Sequence, residues 1–217
     1  MNASSSPRVA LVDYGSGNLR SVAKALERSG LRVAVVGEGA GLRGADAVVL
    51  PGVGAFADAM ASLHAKGLVD ALREWIRAGR PYLGLCLGLQ VLFQVSEEHG
   101  RTAGLGVLPG RIARFPERDA QGGRLHVPHI GWNGVRFHGT HPVLDALPEE
   151  DVFYFVHAYR ALAEDPGCVV GTTDYGGPFA AAVARDNVFA VQFHPEKSQS
   201  SGRRLLDACA GWIASWA

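Results

Sequence analysis

In the first half of the chain, short runs of apolar and often β-branched residues alternate with amphipathic segments, and this alternation restricts the fold more than any other feature. The runs predict strands over Val9–Val12, Arg32–Val36, Ala47–Leu50 and Tyr82–Leu85. The amphipathic segments predict helices over Asn18–Ser29, Phe56–His64, Leu68–Ala78 and Leu87–Val95. Such strands, separated by helices, are typical of an α/β fold with a doubly wound, mostly parallel sheet and helices on both faces.

The second half of the chain follows a different pattern. The stretch from Gly106 to Arg136 is rich in glycine, proline and histidine and shows no long helical period. Further strands are predicted over Phe153–Val156, Cys168–Thr173, Phe179–Arg185 and Val188–Phe193, with a turn at Asp186-Asn187, and a final helix over about Ser201–Trp216. We therefore expect an antiparallel β extension and a single domain over residues 8–217, after a disordered leader over residues 1–7.

Composition excludes several classes of function. The chain has 217 residues, 47% of them hydrophobic, which is enough for the core of one domain. Its 21 basic and 21 acidic residues balance, so neither nucleic acid nor an anionic membrane is expected as a partner. No apolar run approaches the roughly 20 residues of a membrane span. With three cysteines and no CxxC pair, we expect a reduced, cytoplasmic protein with one special thiol.

The candidate nucleophile is Cys86, in the segment Gly84-Leu85-Cys86-Leu87-Gly88 between a predicted strand and a predicted helix. This is the G-x-nucleophile-x-G elbow with cysteine in place of serine. The flanking glycines leave room at a tight turn, and the N-terminus of the following helix favours a thiolate. A buried structural cysteine between two closely packed glycines is the alternative that this segment leaves open.

The candidate base lies near the end of the chain, where Gln192-Phe193-His194-Pro195-Glu196 follows an apolar strand. Active sites of α/β sheets lie at such strand ends. Because His194 and Glu196 are two residues apart, the carboxylate can orient the imidazole, whose other nitrogen can face the thiol. A histidine at a strand end beside a surface glutamate is the alternative, and the presence of the elbow argues against it.

With these segments in place, the chain resembles the triad, or class I, glutamine amidotransferases. A third match is the loop Pro51-Gly52-Val53-Gly54, which follows a predicted strand. More specific motifs are similar to the glutaminase subunits of imidazole glycerol phosphate synthase. These motifs are DYGSGNLRSV (13–22), PGVGAF (51–56), HIGWN (129–133), YFVHAY (154–159) and FHPEKSQ (193–199).

The resemblance implies that L-glutamine is hydrolysed to glutamate and ammonia without a cofactor or metal. It also implies a heterodimer with a (β/α)₈-barrel cyclase subunit, which uses the ammonia to make imidazole glycerol phosphate in histidine biosynthesis. The implied roles are a Cys86, His194 and Glu196 triad, an oxyanion hole at the N–H groups of Val53 and Leu87, glutamine binding by Gly52, Gln90 and Glu98, and a partner interface at Asn18, Trp132, Tyr154 and Lys197. Glu97 could replace Glu98, and Trp132 could instead be a core residue.

Other interpretations are weaker. Gly15-x-Gly17 lacks the third glycine of a dinucleotide loop. The histidines of the loop-rich stretch, His126, His129, His138 and His141, lack nearby cysteines and carboxylates, so a zinc site is not expected. The remaining rivals are an amidotransferase of anthranilate or aminodeoxychorismate synthesis, a free-standing cysteine hydrolase, and a regulatory subunit with an idle triad. The GSGNLRS (15–21) and HIGWN segments argue against the first, and the full triad with its glycine loop argues against the third. Activity that does not depend on a partner would support the second.

Overall fold

The computed structural model describes residues 6–15 and 17–216, so residues 1–5 of the predicted disordered leader lie outside the described residues. The strands are β1 (Arg8–Val12), β2 (Arg32–Val36), β3 (Ala47–Leu50), β4 (Tyr82–Leu85), β5 (Phe93–Ser96), β6 (Thr102–Ala103), β7 (Leu108–Arg114), β8 (His129–Phe137), β9 (Glu150–His157), β10 (Tyr159–Ala163), β11 (Val169–Asp174), β12 (Pro178–Arg185) and β13 (Val188–Val191). The helices are α1 (Leu19–Arg28), α2 (Phe56–Ala65), α3 (Leu68–Arg77), α4 (Leu87–Gln90) and α5 (Gln199–Ala214).

The main sheet has the strand order β2-β1-β3-β4-β13-β12-β11-β8-β9. The strands from β2 to β13 in this order are parallel to their neighbours. From β13 to β9, each strand is antiparallel to the one before it. This arrangement confirms the predicted fold class, a mostly parallel α/β sheet with an antiparallel extension.

Each face of the main sheet is covered by apolar side chains. On β1, Val9 and Leu11 pack in one core cluster with residues of α1 and α5, whereas Ala10 and Val12 pack in another with residues of α2 and α3. Alternate residues of a strand point to opposite faces, so a strand apolar at every position is buried on both. No helix among residues 6–15 and 17–216 is long and apolar enough to cross a membrane.

The predicted helix over Leu87–Val95 is wrong after its first turn. It ends at Gln90, and Phe93–Ser96 forms β5, which pairs with β7 and β6 in a second sheet of order β10-β7-β5-β6. The segment is almost continuously apolar and buried, so its periodicity does not distinguish a helix from a buried strand. Pairing with β7, from the stretch that carried no prediction, decides the outcome.

Candidate active site

Cys86 lies on the sharp turn between β4 and α4. Its backbone angles are φ 53° and ψ −105°, a conformation that costs energy for any residue with a side chain. A Cβ atom on Gly84 would lie 2.5 Å from the carbonyl oxygen of Gly88, and one on Gly88 would overlap the carbonyl oxygen of Leu50. The elbow therefore needs both glycines to bring β4, α4 and β3 together around the thiol.

His194 and Glu196 follow β13 at the same end of the sheet. Nδ1 of His194 lies 2.9 Å from Oε1 of Glu196, and their side chains are only 4% and 3% exposed. Because a carboxylate only accepts hydrogen bonds, Nδ1 carries the proton and Nε2 is the nitrogen that can face another group. This is the arrangement needed for a base oriented by a carboxylate.

The backbone of β9 holds His194 in place. The N–H of His194 donates to the carbonyl of Tyr154 (2.9 Å). The hydroxyl of Ser198 donates to the carbonyl of His194 (2.6 Å) and accepts from the N–H of Tyr154 (3.0 Å). Three hydrogen bonds thus join the candidate base to the outermost strand of the main sheet, and they fix its distance from that strand.

The protonation of His194 is set by its neighbours. Burial lowers the pKa of His194, but the charge of Cys86, a hydrogen bond with Cys86, and the Glu196 carboxylate together raise it to about 10. Nε2 of His194 nevertheless makes no hydrogen bond of standard geometry within the described part of the chain. The imidazole of His194 therefore interacts electrostatically with the sulfur of Cys86 but does not form an aligned hydrogen bond with it. Such contacts commonly tighten only when substrate binds.

Gln192 is a site residue that the sequence reasoning missed. It is fully buried, and its Nε2 lies 3.6 Å from Sγ of Cys86. Its Oε1 accepts from Nε2 of Gln90 (3.1 Å), which also donates to the carbonyl of Tyr159 (3.1 Å). The available signal was a carboxamide in an otherwise apolar segment, Val188–Phe193, two residues before His194.

A cavity of about 400 Å³ opens at Cys86. This volume suits a small molecule. Its lining includes six residues with predicted roles: Val53, Cys86, Leu87, Gln90, Glu98 and Lys197. Gly52 is outside the lining and packs against Tyr14 and Leu87, where a Cβ atom would clash. The segment Val156–Tyr159 forms another wall.

The two glutamates considered for substrate binding are in different places. Oε2 of Glu98 accepts from the N–H of Phe56, the first residue of α2, at 2.7 Å, and Glu98 lines the cavity. Glu97 instead pairs with Arg111 (3.1 Å) and is half exposed. Of the two, only Glu98 faces the space beside Cys86.

His157 belongs to the Val156–Tyr159 wall and contacts a second buried histidine, His129. Nδ1 of His157 donates to the carbonyl of Tyr159 (2.8 Å), and Nδ1 of His129 lies 3.2 Å from Nε2 of His157. Burial lowers the pKa of His157 to about 3 and that of His129 to about 4. Away from the site, burial also lowers the pKa of His141 to about 4. We refer to these residues as the three buried histidines; all are neutral at pH 7.

The residues with a predicted interface role are exposed or partly exposed. Trp132 and Tyr154 pair across β8 and β9, with ring centroids 5.9 Å apart. Trp132 is 49% exposed, which excludes the alternative that it is a core residue. Ile130 and Val152 are also exposed, and alternation along β8 and β9 places the four on one face, which we call the apolar edge.

Asn18 and Lys197 lie outside the apolar edge. The side chain of Asn18 caps α1 by accepting from the N–H of Ser21 (3.3 Å). Lys197 is exposed at the rim of the cavity, next to Glu196. Since α1 contacts the Pro195–Lys197 turn, the two residues belong to neighbouring parts of the surface.

Comparisons with known proteins identify the family of the chain. Residues 10–209 match the family model of glutamine amidotransferase class-I. The imidazole glycerol phosphate synthase subunit HisH of Desulfitobacterium hafniense (strain DSM 10664 / DCB-2) is 48% identical over 205 residues, which cover 94% of each chain. The HisH subunit of Moorella thermoacetica is 50% identical over 198 residues, 91% of each chain.

Solved structures show the same fold at lower identity. The structure of PurLQS from Thermotoga maritima superposes with a TM-score of 0.74 and 20% identity, covering 96% of this chain and 99% of that one. At 20% identity the solved structure shows the fold alone, whereas the two full-length relatives identify the subunit. The chain therefore belongs to the class-I glutamine amidotransferase family and, within it, to the glutamine amidotransferase subunits of imidazole glycerol phosphate synthase.

Proposed function

We propose that this chain hydrolyses L-glutamine to glutamate and ammonia with Cys86 as nucleophile, His194 as general acid and base, and Glu196 as the residue that orients His194. The observation that carries the proposal is the buried 2.9 Å contact between His194 and Glu196, beside a cysteine on a strained elbow. A buried structural cysteine needs neither the carboxylate nor the cavity.

The chemistry follows from the charges. With its pKa raised to about 10, His194 is basic enough to take the proton of the Cys86 thiol. The thiolate attacks the carboxamide carbon of glutamine, and the carbonyl π electrons move to the oxygen. His194 then protonates the amide nitrogen, so ammonia leaves and a thioester remains. Neutral His194 next takes a proton from water, whose oxygen attacks the thioester carbon. The C–S bond then breaks, so glutamate leaves and the Cys86 sulfur departs as a thiolate beside protonated His194.

The oxyanion formed in both steps needs N–H donors. The N–H of Leu87 directly follows the nucleophile, as in other nucleophile elbows. Val53 lies across the cavity in the Pro51–Gly54 loop, and Gly54 has a φ of 99° that only glycine adopts readily. We assign the second donor to the N–H of Val53. A peptide rotation in this loop would complete or break the oxyanion hole, which would couple activity to the partner.

Glutamine is assigned to the cavity through its polar ends. Glu98 faces the cavity with a carboxylate of which one oxygen binds the N-terminus of α2, and the other can accept from the substrate ammonium. Gln90 has its Nε2 engaged by Tyr159 and Gln192, so its Oε1 is the group available to the substrate. Gly52 lets the loop approach Leu87 and contributes through its backbone.

The partner proposed for this subunit is a (β/α)₈-barrel cyclase that consumes the ammonia in making imidazole glycerol phosphate. The apolar edge is assigned to the interface because exposed apolar patches with aromatic residues are typical of protein contacts. Asn18 and Lys197 complete the assignment. The cytoplasmic location expected from the sequence agrees with three cysteines that are all free and buried.

The test is glutamate release from L-glutamine by the wild-type chain and by Cys86→Ala and Glu196→Gln, each alone and with the cyclase subunit plus its nucleotide ligand. We expect stimulation by the loaded cyclase, loss of about 10⁴-fold in Cys86→Ala, and loss of about 10²-fold or more in Glu196→Gln. Binding to the cyclase and circular dichroism should be unchanged in both variants. Cys86→Ala that folds and still releases glutamate would refute the proposal.

A further inference from the structure

The sulfur of Cys86 has a polar neighbour with no role in the triad. We infer that the side-chain amide of Gln192 donates an N–H hydrogen bond to this sulfur and stabilises the thiolate, so Gln192 is a further catalytic residue. This inference rests on the proposed function, because it takes Cys86 as the nucleophile. The contact is 3.6 Å long, and Gln192 is fully buried.

The orientation of the Gln192 amide follows from its neighbours. The carbonyl of Tyr159 can only accept, so the atom of Gln90 that lies 3.1 Å from it is Nε2. The same Nε2 lies 3.1 Å from one atom of the Gln192 amide, which must therefore be the oxygen, Oε1. The remaining atom, Nε2 of Gln192, is then the one that faces Sγ. The Gln90 amide is thus fixed by an acceptor and the Gln192 amide by a donor, and neither orientation depends on the sulfur itself.

The Cys86 thiolate depends on this donor because its other expected sources of stabilisation are weak. The sequence predicted a long helix whose dipole would favour the thiolate, but α4 is a single turn, Leu87–Gln90, and its dipole is correspondingly small. Nε2 of His194 makes no hydrogen bond of standard geometry among the described residues. A neutral N–H directed at an anion inside a buried site forms a charge-assisted hydrogen bond, which is about twice as strong as one between neutral groups.

A purely structural role is the competing explanation, since Gln192 also joins the end of β13 to α4 through Gln90. The two roles differ in what they do to the sulfur. A structural link affects folding and the accessibility of Cys86 at every pH. A donor to the thiolate affects how much of Cys86 is ionised at neutral pH, and this difference disappears at high pH, where every form of the thiol is ionised.

The experiment measures the rate of Cys86 alkylation by iodoacetamide as a function of pH in the wild-type chain, Gln192→Met and Gln192→Glu. Methionine keeps the length of the side chain and removes the donor, and glutamate keeps its shape and directs an oxygen at the sulfur. Cys86→Ser gives the background from the other two cysteines. Gln94→Met is the matched control, because Gln94 is exposed and its side chain accepts from the N–H of Gly110 (3.2 Å) in the second sheet.

We expect alkylation at about pH 7 to fall about tenfold in Gln192→Met and further in Gln192→Glu, whereas at about pH 10 the rates of all variants converge. Gln94→Met should match the wild type throughout. Wild-type rates in both Gln192 variants, or rates lowered equally at every pH, would overturn the inference. If Gln192→Met fails to fold, Gln192→Glu decides alone. The assay needs no glutamine turnover, so failure of the proposed function appears separately, as glutamate release by Cys86→Ala.

Discussion

Two glycines of α5 give a matched test of how closely this helix supports the proposed triad. Gly202 is buried, and a Cβ atom there would overlap the carbonyl oxygen of Pro195, the residue between His194 and Glu196. Gly211 lies in the same helix and is exposed, and apart from the adjoining backbone of its own helix no atom lies within 4 Å of the position of a Cβ. Replacing each by alanine makes the same chemical change in two different surroundings.

The magnitudes follow from the two surroundings. Alanine in a helix interior is favoured over glycine by about 1 kcal/mol, so Gly211→Ala should raise the melting temperature by about 2–4 °C in a chain of this size. In Gly202→Ala the same gain is opposed by an overlap with backbone, which costs about 3 kcal/mol because no side chain can rotate away. A net loss of about 2 kcal/mol should lower the melting temperature by about 4–8 °C.

The assay combines thermal unfolding with glutamate release in the presence of the loaded cyclase. Displacing Pro195 should separate the imidazole of His194 from the carboxylate of Glu196, so Gly202→Ala should also lose about tenfold or more in rate. Gly211→Ala should keep wild-type activity. If both substitutions stabilise the chain equally and leave the activity unchanged, α5 does not pack tightly against the turn between His194 and Glu196, and this reasoning is refuted.

Two further predictions concern stability. In Asn187→Ala, the carbonyls of Ile76 and Arg80 lose the Nδ2 donor that now bonds to both (3.0 and 2.6 Å), so urea unfolding should show a loss of about 1–3 kcal/mol; a loss below 0.5 kcal/mol would contradict this. The three buried histidines have pKa values of about 3 to 4 in the folded chain, below the ordinary value of 6.5, so the unfolded chain binds more protons and stability should fall as pH drops from about 6.5 towards 4. Each contributes up to about 1.4 kcal/mol per pH unit, and a flat urea-unfolding profile over this range would contradict the burial of neutral rings.

The parallel half of the fold was predictable because its signals are local. Runs such as Ala47–Leu50 are apolar at every position, and the structure gives them the predicted bounds. The elbow around Cys86 was also predictable, since its glycines and its place between a strand and a helix are adjacent in sequence. The hairpin of β12 and β13 follows for the same reason, with Asp186 at a φ of 50° in the predicted turn.

What the sequence did not predict depends on distant pairing. β7 and β8 arise in a stretch rich in glycine and proline, and each is defined by partners far along the chain. The same holds for Gln192, whose side-chain partners are Gln90 and Cys86, 102 and 106 residues earlier. No local pattern marks such a contact, because only the closed sheet brings these side chains together.

The backbone conformation of Cys86 determines which substitutions at this position would stabilise the fold. Its φ of 53° and ψ of −105° suit glycine, so any other residue there costs about 1–3 kcal/mol of folding free energy. A lineage that no longer needed the thiol would gain stability by replacing Cys86 with glycine, so selection for stability would favour that substitution. Under the proposed function, the chemistry of Cys86 opposes the preference of the fold for glycine at this turn.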